Sequence, residues 1–169
     1  DPNDIGVSLK LLTRGSYESF ETKIFKSLVK KGMNVVDVGA NIGYYTLLAA
    51  YLVGNTGKVF AFEPESYNFG ILKKNVELNG FRNVVPVKRG VSDKTGKAKL
   101  FLDIKTKGSH SIYRKVDENA SVDIEMVKLG NFLGKMIDKI DVIKIDVEGA
   151  EPKVLDGMKR MLKKKRLAI

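Results

Sequence analysis

The sequence predicts an α/β fold built on a mostly parallel sheet with helices on both faces. Three runs with the composition of buried strands, at 33–38, 58–63 and 83–88, alternate with helix patterns. Short connections join them, as in the right-handed crossovers of a doubly wound sheet. A fourth strand-like run, DVIKIDV at 141–147, resumes this pattern after an interruption.

The length and composition are those of one domain. The chain has 169 residues, of which 43% are hydrophobic, and this is enough for one core. We predict a single domain over 1–169, with a helical lead-in at 1–31 and an inserted hairpin and loop at 97–129. The absence of cysteine excludes disulfides and thiolate chemistry.

Charge and hydropathy bear on partners and location. Thirty Lys and Arg residues against twenty Asp and Glu give a net charge of +10, which allows nucleic acid, anionic lipid or acidic substrates as partners. The sequence shows neither an apolar stretch of about 18 residues nor a basic-then-apolar start. We therefore expect no membrane partner and a cytoplasmic location, while the oligomeric state stays open.

The first predicted helix covers 16–30, with Ser16 as its cap and Gly32 as its end. Its apolar face comprises Phe20, Ile24, Phe25, Leu28 and Val29. The strand at 33–38 is rich in β-branched residues, which is typical of a parallel strand buried on both faces. A second helix is predicted at 43–53.

The strand at 58–63 leads into a third helix, for which Ser66 is the predicted cap and Gly80 the predicted end. The apolar face of this helix comprises Phe69, Leu72, Val76 and Leu78. The strand at 83–88 then completes the first half of the fold.

The interruption contains KAKLFLDI and ASVDIEMVKL, which predict an inserted antiparallel pair with a loop at 105–120. After the strand at 141–147, Pro152 is predicted to open a helix. Its apolar face comprises Val154, Leu155, Met158, Met161 and Leu162. The run at 166–169 reads as the start of a fifth parallel strand, so we expect the C-terminal strands of a seven-stranded sheet to be missing from this sequence.

The turn GANIG at 39–43 joins the first strand to the second helix, a position where backbone N–H groups and the helix dipole favour anionic ligands. The dinucleotide fingerprint G-x-G-x-x-G would need glycine at 41 and 44, where the chain has Asn41 and Tyr44. No Gly-Lys-Ser/Thr follows, so a Walker loop is also excluded. The turn therefore favours a nucleoside ligand without a pyrophosphate.

Glu63 ends the second strand, where a carboxylate can accept both hydrogen bonds of a ribose diol. It lies at the same predicted sheet edge as the turn, and this pairing favours a nucleoside site. The alternative is a closely packed strand-to-helix turn with a solvated Glu63.

Five stretches resemble the FkbM family of methyltransferases in residues and order: VVDVGANIGYYT, VFAFEPE, LKKNVELNG, GVSDKTG and KIDVEGAEPKVLDGMKRML. The resemblance covers about residues 17–167. It implies a three-layer, Rossmann-like class I methyltransferase fold that uses S-adenosylmethionine. It further implies methyl transfer to a small-molecule acceptor, typically a hydroxyl of a sugar or natural product.

The resemblance also implies roles for individual residues. Asp37 would orient the methionine end of the cofactor, and the turn would wrap it. Glu63, next to Pro64, would hold the ribose. Tyr17 and Glu18 would cover the cofactor, although Tyr17 equally suits packing at the start of a helix. The turn residues concerned are Gly39, Ala40, Asn41 and Gly43, followed by Tyr44, and the expected adenine contacts are Val91 and Ser92. GVSDKTG is equally a good turn into the hairpin.

Asp146 and Glu148 are the candidate catalytic carboxylates at the end of the fourth strand. Because this strand is expected beside the first, Asp146 should also contact the cofactor, close to the transferred methyl group and the methionine amine. Such a pair of carboxylates can act as general base, bind a divalent cation or offset the sulfonium charge, and the sequence leaves these roles and the presence of a metal open. His110, the only histidine, is a further candidate base in the inserted loop. Glu151 is assigned to the start of the next helix, which its charge favours.

The sequence leaves two other functions open. The basic surface would suit an RNA methyltransferase, although basic residues near the end of the last helix also complement its dipole and keep its surface solvated. A non-catalytic module that only binds S-adenosylmethionine is the second alternative. The basic cluster near the last helix comprises Lys159, Arg160, Lys163, Lys164, Lys165 and Arg166.

Overall fold

The computed structural model describes residues 7–14, 17–102, 121–162 and 168–169. The helices are α1 (Val7–Arg14), α2 (Ser19–Leu28), α3 (Tyr44–Val53), α4 (Ser66–Leu78), α5 (Leu129–Leu133) and α6 (Glu151–Leu162). The strands are β1 (Asn34–Val38), β2 (Lys58–Phe62), β3 (Val84–Val87), β4 (Gly90–Val91), β5 (Gly96–Phe101), β6 (Ser121–Val127) and β7 (Val142–Ile145). None of the helices described is both long and apolar enough to cross a bilayer.

The main sheet has the strand order β3-β2-β1-β7, and all its strands are parallel. β1 lies in the middle, with Asp37 opposite Ala61 of β2 on one side and Lys144 of β7 on the other. Val142 forms a further parallel bridge to Ala168 on the outer side of β7. The predicted α/β fold with a mostly parallel sheet is therefore confirmed.

Helices cover both faces of this sheet. Successive strand residues point to opposite sides, and in β1 and β2 the residues on both sides are buried. On one face α2 and α3 pack against the sheet, and this core includes Phe25, Val29, Val35, Ala49 and Val142. On the other face α6 packs against the sheet, and this core includes Val36, Phe62, Ile143, Val154 and Met158. The carboxyl ends of β1, β2 and β7 meet at one edge, where the candidate site lies.

A second, smaller sheet has the order β4-β6-β5. β5 and β6 form the antiparallel pair that the sequence predicts, from Gly96 opposite Met126 to Phe101 opposite Ser121. β4 pairs in parallel with β6, a pairing that the sequence analysis does not anticipate. The predicted loop at 105–120, including His110, lies outside the described residues.

The predicted apolar face of the first helix is partly wrong. α2 begins at Ser19, and the predicted cap Ser16 lies outside the described residues. Phe25 is buried, but Phe20 is 71% exposed, and Ile24 and Leu28 are exposed as well. The buried stripe runs through Thr22, Phe25 and Val29, so it is narrower than the sequence suggests.

The predicted cap of α4 is also wrong. Glu65, not Ser66, occupies the cap position, and its carboxylate accepts hydrogen bonds from the amides of Tyr67 and Asn68 at 2.9 and 2.8 Å. A longer acidic side chain can serve as a cap because it reaches the same amides and complements the helix dipole. The predicted face also loses Leu78, which is exposed at the end of the helix.

Candidate functional site

The turn between β1 and α3 is built from left-handed residues. Gly39, Asn41 and Gly43 have φ of 79°, 50° and 98°. A Cβ on Gly39 would lie 1.8 Å from the carbonyl oxygen of Asp146, so the turn packs directly on the end of β7. Glycine at 39 is therefore required by close backbone approach as well as by φ.

Each of the five amides from Gly39 to Gly43 donates a hydrogen bond within the protein. The acceptors are the carbonyl oxygens of Phe62 and Ala40 and the side-chain oxygens of Glu63 and Asn41. The expectation that this turn presents free N–H groups to an anion is therefore wrong for these five amides. The turn is shaped by its own hydrogen bonds and leaves these donors unavailable to a phosphate.

Glu63 is buried, with 6% of its surface exposed, at the point where β2 ends beside this turn. Its Oε2 accepts from the Asn41 amide at 2.8 Å, and its Oε1 accepts from the Glu65 amide at 2.9 Å. Burial raises the pKa of Glu63 to about 7, although the two backbone donors favour the ionised form. An ionised carboxylate has about four acceptor positions, so further hydrogen bonds can be added.

Asp37 lies in the middle of the sheet and has no exposed surface. Its Oδ2 accepts a hydrogen bond from the Thr46 hydroxyl of α3 at 2.7 Å. Its Oδ1 has no hydrogen-bond partner in the described part of the chain, and the Lys144 ammonium lies 3.5 Å away. A buried carboxylate needs such a charge nearby to remain ionised.

Lys144 is the residue of this site that the sequence analysis missed. Its Nζ lies 3.3 Å from the Gly39 carbonyl oxygen, 3.3 Å from Asp146 Oδ2 and 5.0 Å from the centre of the Tyr45 ring. Burial lowers the pKa of Lys144, but the carboxylates of Asp37 and Asp146 outweigh it and leave that pKa above its usual value.

A sequence signal for Lys144 did exist. A lysine inside a buried strand needs a partner, because an unpaired buried charge is costly. Strand alternation places Lys144 and Asp146 on the same face of β7, and the parallel register places Asp37 beside them.

Asp146 is the exposed member of this cluster, with its side chain 50% accessible. The turn that follows has left-handed backbone at Glu148 and Gly149, and Glu148 is exposed. Glu151 accepts hydrogen bonds from the amides of Val147 and Gly149, both at 3.0 Å. Glu151 thus organises the start of α6, in keeping with the role that the sequence analysis gives it.

Aromatic side chains flank the turn on the side of α2. The rings of Tyr17 and Tyr44 meet edge to face at 5.5 Å, and the hydroxyl of Tyr45 donates to Glu18 at 3.0 Å. Burial and the neighbouring Glu18 carboxylate raise the pKa of both Tyr17 and Tyr45. Glu18 itself has φ of 44°, a strained conformation of a kind that concentrates at functional sites.

Val91 and Ser92, the predicted adenine contacts, pack towards β6 and α6. Val91 is buried in the core, and the Ser92 amide donates to the Val127 carbonyl oxygen at 2.9 Å. The Ser92 hydroxyl donates to Asp93 at 3.0 Å. The described contacts therefore support the turn interpretation of this stretch, and the adenine contact stays a prediction.

A cavity of about 430 Å³ opens between α2 and β7. The side chains that line it include the polar residues Glu18, Tyr45, Lys144 and Asp146 and the apolar residues Ile24, Leu28 and Ile169. Among the described residues, no three acidic or histidine side chains converge closely enough to form a candidate metal site.

The site therefore combines a turn, two acidic strand ends and a buried ion pair at one sheet edge. The family model described as the methyltransferase FkbM domain matches residues 37–169, which include all of these features. The chain belongs to this family. The resemblance that the sequence motifs show is thereby confirmed.

Relatives and solved structures agree with this assignment. Methyltransferase 1 of Beauveria bassiana is 28% identical over 144 residues, covering 73% of this chain and 57% of that protein. Hexuronic acid methyltransferase AglP of Haloferax volcanii is 33% identical over 133 residues, covering 75% of this chain and 50% of that protein. The chain thus spans about half the length of the curated relatives that it matches.

The structure of methyltransferase FkbM from Methylobacillus flagellatus KT superposes with a TM-score of 0.54. The match covers 86% of this chain and 38% of that one at 16% identity, so it bears on the fold alone. The Rossmann-like methyltransferase fold is confirmed.

Proposed function

We propose that this FkbM domain transfers a methyl group from S-adenosylmethionine to a small-molecule hydroxyl. The observation that carries the proposal is the buried Glu63 carboxylate, which joins the end of β2 to a turn whose five amides are already paired. A ribose diol needs such an acceptor, and a pyrophosphate needs the donors that this turn lacks.

The charges of the site fit this cofactor. Glu63, Asp37 and Asp146 contribute carboxylates, and Lys144 contributes the ammonium that stands between the last two. S-adenosylmethionine has a positive sulfonium, an ammonium and one carboxylate but no phosphate, so it is a cation overall. A site with more carboxylate than ammonium charge suits such a ligand better than a dinucleotide.

Specific residues would hold each part of the cofactor. Glu63 would accept hydrogen bonds from the ribose, and the backbone from Gly39 to Gly43 would enclose the methionine end. Asp146 would face the positive charge of the sulfonium. Val91 and Ser92 remain the proposed adenine contacts. When bound, the cofactor supplies an electrophilic methyl group on sulfur.

The protein's own contribution is mainly alignment, because methyl transfer from a sulfonium depends on placing the acceptor oxygen in line with the carbon–sulfur bond. The close packing of the turn on β7 holds two parts of the site at fixed separation. Glu148, exposed on the turn after Asp146, and His110 are the candidates for accepting the proton of the acceptor hydroxyl.

A carbohydrate is the acceptor class that we propose. Its support is the hexuronic acid methyltransferase relative, together with a net charge of +10 that would attract an acidic sugar. The net charge of +10 would suit RNA equally well, so the preference for a carbohydrate rests on the hexuronic acid methyltransferase relative.

Calorimetry with S-adenosylmethionine, S-adenosylhomocysteine and NAD tests the cofactor. We expect the first two to bind and NAD not to bind, and NAD binding alone would overturn the proposal. A transfer assay with methyl-labelled cofactor on cell extracts, fractionated into glycans, small molecules and RNA, then tests the acceptor. Label found in RNA alone would contradict the carbohydrate proposal.

A further inference from the structure

We propose that Lys144 is a specificity-determining residue, whose ammonium competes with the positive charge of the cofactor for the Asp146 carboxylate. By this competition it sets how strongly the site prefers the sulfonium cofactor over the neutral thioether product. The inference rests on the proposed function, since it takes S-adenosylmethionine as the ligand.

The ammonium of Lys144 is held from several sides. An ammonium has three N–H donors, and three oxygens surround this one: the Gly39 carbonyl at 3.3 Å, Asp146 Oδ2 at 3.3 Å and Asp37 Oδ1 at 3.5 Å. The Tyr45 ring lies beyond them at 5.0 Å. With only 16% of its side chain exposed, Lys144 is a fixed charge and not a mobile surface lysine.

The two carboxylates on this ammonium differ in access. Asp37 is fully buried and is held by Thr46 from the other side. Asp146 has half of its side chain exposed, so it is the carboxylate of this pair that a ligand can reach. A cation that binds at Asp146 therefore meets a carboxylate whose Oδ2 already faces the ammonium of Lys144.

This arrangement has a consequence for the reaction. Methyl transfer turns a positive sulfonium into a neutral thioether, so attraction between a carboxylate and that charge is lost as the reaction proceeds. An interaction stronger in the ground state than in the transition state raises the barrier. By sharing Asp146, Lys144 would weaken this ground-state attraction. The site would then bind the cofactor with an affinity closer to its affinity for the product.

The test compares the affinities of S-adenosylmethionine and S-adenosylhomocysteine, which differ by one methyl group and one positive charge. We expect Lys144→Gln to increase the preference for S-adenosylmethionine about tenfold, because one opposing charge is removed from a partly buried site. The double variant Asp37→Asn/Lys144→Met should change the preference in the same direction but by less, because it also removes the negative charge of Asp37, which lies farther from Asp146 than the ammonium does. It removes the buried pair together, so no unpaired carboxylate is left to prevent folding.

Lys144→Arg keeps the charge and should keep the preference of the wild type. Lys99→Met is the matched control, because Lys99 also lies 3.5 Å from a carboxylate, that of Asp123, but on the exposed second sheet. A loss of structure alone would lower the affinity for both ligands equally and leave the ratio of the two affinities unchanged. In turnover, both kcat and KM for the cofactor should fall in Lys144→Gln.

An unchanged or smaller preference for S-adenosylmethionine in folded variants that bind both ligands would overturn the inference while leaving the proposed function intact. Failure of the wild-type chain to bind either ligand would instead remove the proposed function, and this inference with it. Circular dichroism of each variant establishes that it is folded.

Discussion

Lys144 and Asp37 lie opposite each other in the parallel register of β7 and β1, with 3.5 Å between Nζ and Oδ1. The carboxylate is fully buried, and its second oxygen is held by the Thr46 hydroxyl. The central strand of the sheet thus contains a buried carboxylate, and the ammonium of Lys144 offsets the free-energy cost of burying it. This lysine also touches the turn at Gly39, so the pair connects the core of the sheet to the edge where the candidate site lies.

Lys144→Met should destabilise the fold by about 3 kcal/mol, because it leaves the Asp37 carboxylate buried without an opposite charge. The double variant Asp37→Asn/Lys144→Met should recover most of this loss, since two neutral side chains do not need to pair. Urea unfolding followed by circular dichroism measures both. Lys99→Met, which breaks an exposed pair at the same distance, should cost no more than about 1 kcal/mol. Equal losses in the single and double variants would contradict the pairing argument.

Gly39→Ala should be among the most destabilising single changes in the chain. The new Cβ would lie 1.8 Å from the Asp146 carbonyl oxygen, and φ of 79° is unfavourable for alanine. We expect a loss of at least about 3 kcal/mol or failure to fold. Gly70→Ala is the control, because Gly70 lies inside α4 with nothing within 4 Å of the added methyl group. That change should stabilise the protein by up to about 1 kcal/mol in thermal melts, and a tolerated Gly39→Ala would show that the turn is not tightly packed on β7.

Much of the fold could be predicted from local pattern. Buried parallel strands leave long β-branched runs, and short connections restrict the order in which they pair, so β1, β2, β3 and β7 were found within one or two residues of their ends. Helix faces were harder to predict. The side of a helix that is covered depends on its neighbours, and Ile24 and Leu28 satisfy the helical period but border a cavity.

The site was predicted only in part. Glu63 and the turn follow from motifs that are local in sequence. The role of Lys144 depends on Asp37, which is more than a hundred positions away in the chain, so it appears only when the strand register is known. The pairing of the turn amides could not be anticipated either, because it depends on the side-chain position of Glu63 and the carbonyl of Phe62.

Glu63 should make stability depend on pH. Its pKa is about 7 in the folded protein against 4.5 as its ordinary value, so the native state holds this proton more tightly than the unfolded state. Between these two values the unfolded chain binds fewer protons, and stability should fall as pH rises, by about 3 kcal/mol in total from this group. Urea unfolding at several pH values measures the slope. Glu63→Gln should remove this component, whereas Glu125→Gln, on an exposed strand position paired with Arg89, should retain it.

The same group should link cofactor binding to proton release. A ribose diol donates two hydrogen bonds to an ionised carboxylate, so binding of S-adenosylmethionine should strengthen as pH rises through about 7. At pH 7 binding should release part of a proton, which calorimetry in buffers of different ionisation enthalpy detects. Glu63→Ala should abolish measurable binding, and Glu125→Ala should not. Binding by Glu63→Ala with wild-type affinity would disprove the ribose assignment.

Asp146→Asn should lower the affinity for S-adenosylmethionine about tenfold while leaving that for S-adenosylhomocysteine nearly unchanged. The carboxylate is half exposed beside the Lys144 ammonium, and removing its charge leaves that ammonium facing the sulfonium without compensation. KM for the cofactor should rise, whereas kcat should not fall through this charge effect, because the attraction that is lost stabilises the sulfonium of the ground state. Calorimetry with both ligands checks the affinities, and Asp123→Asn, which removes an exposed carboxylate of the second sheet, is the control. Equal weakening of the two ligands would show that Asp146 acts on a group that both share, such as the methionine amine, and not on the sulfonium charge.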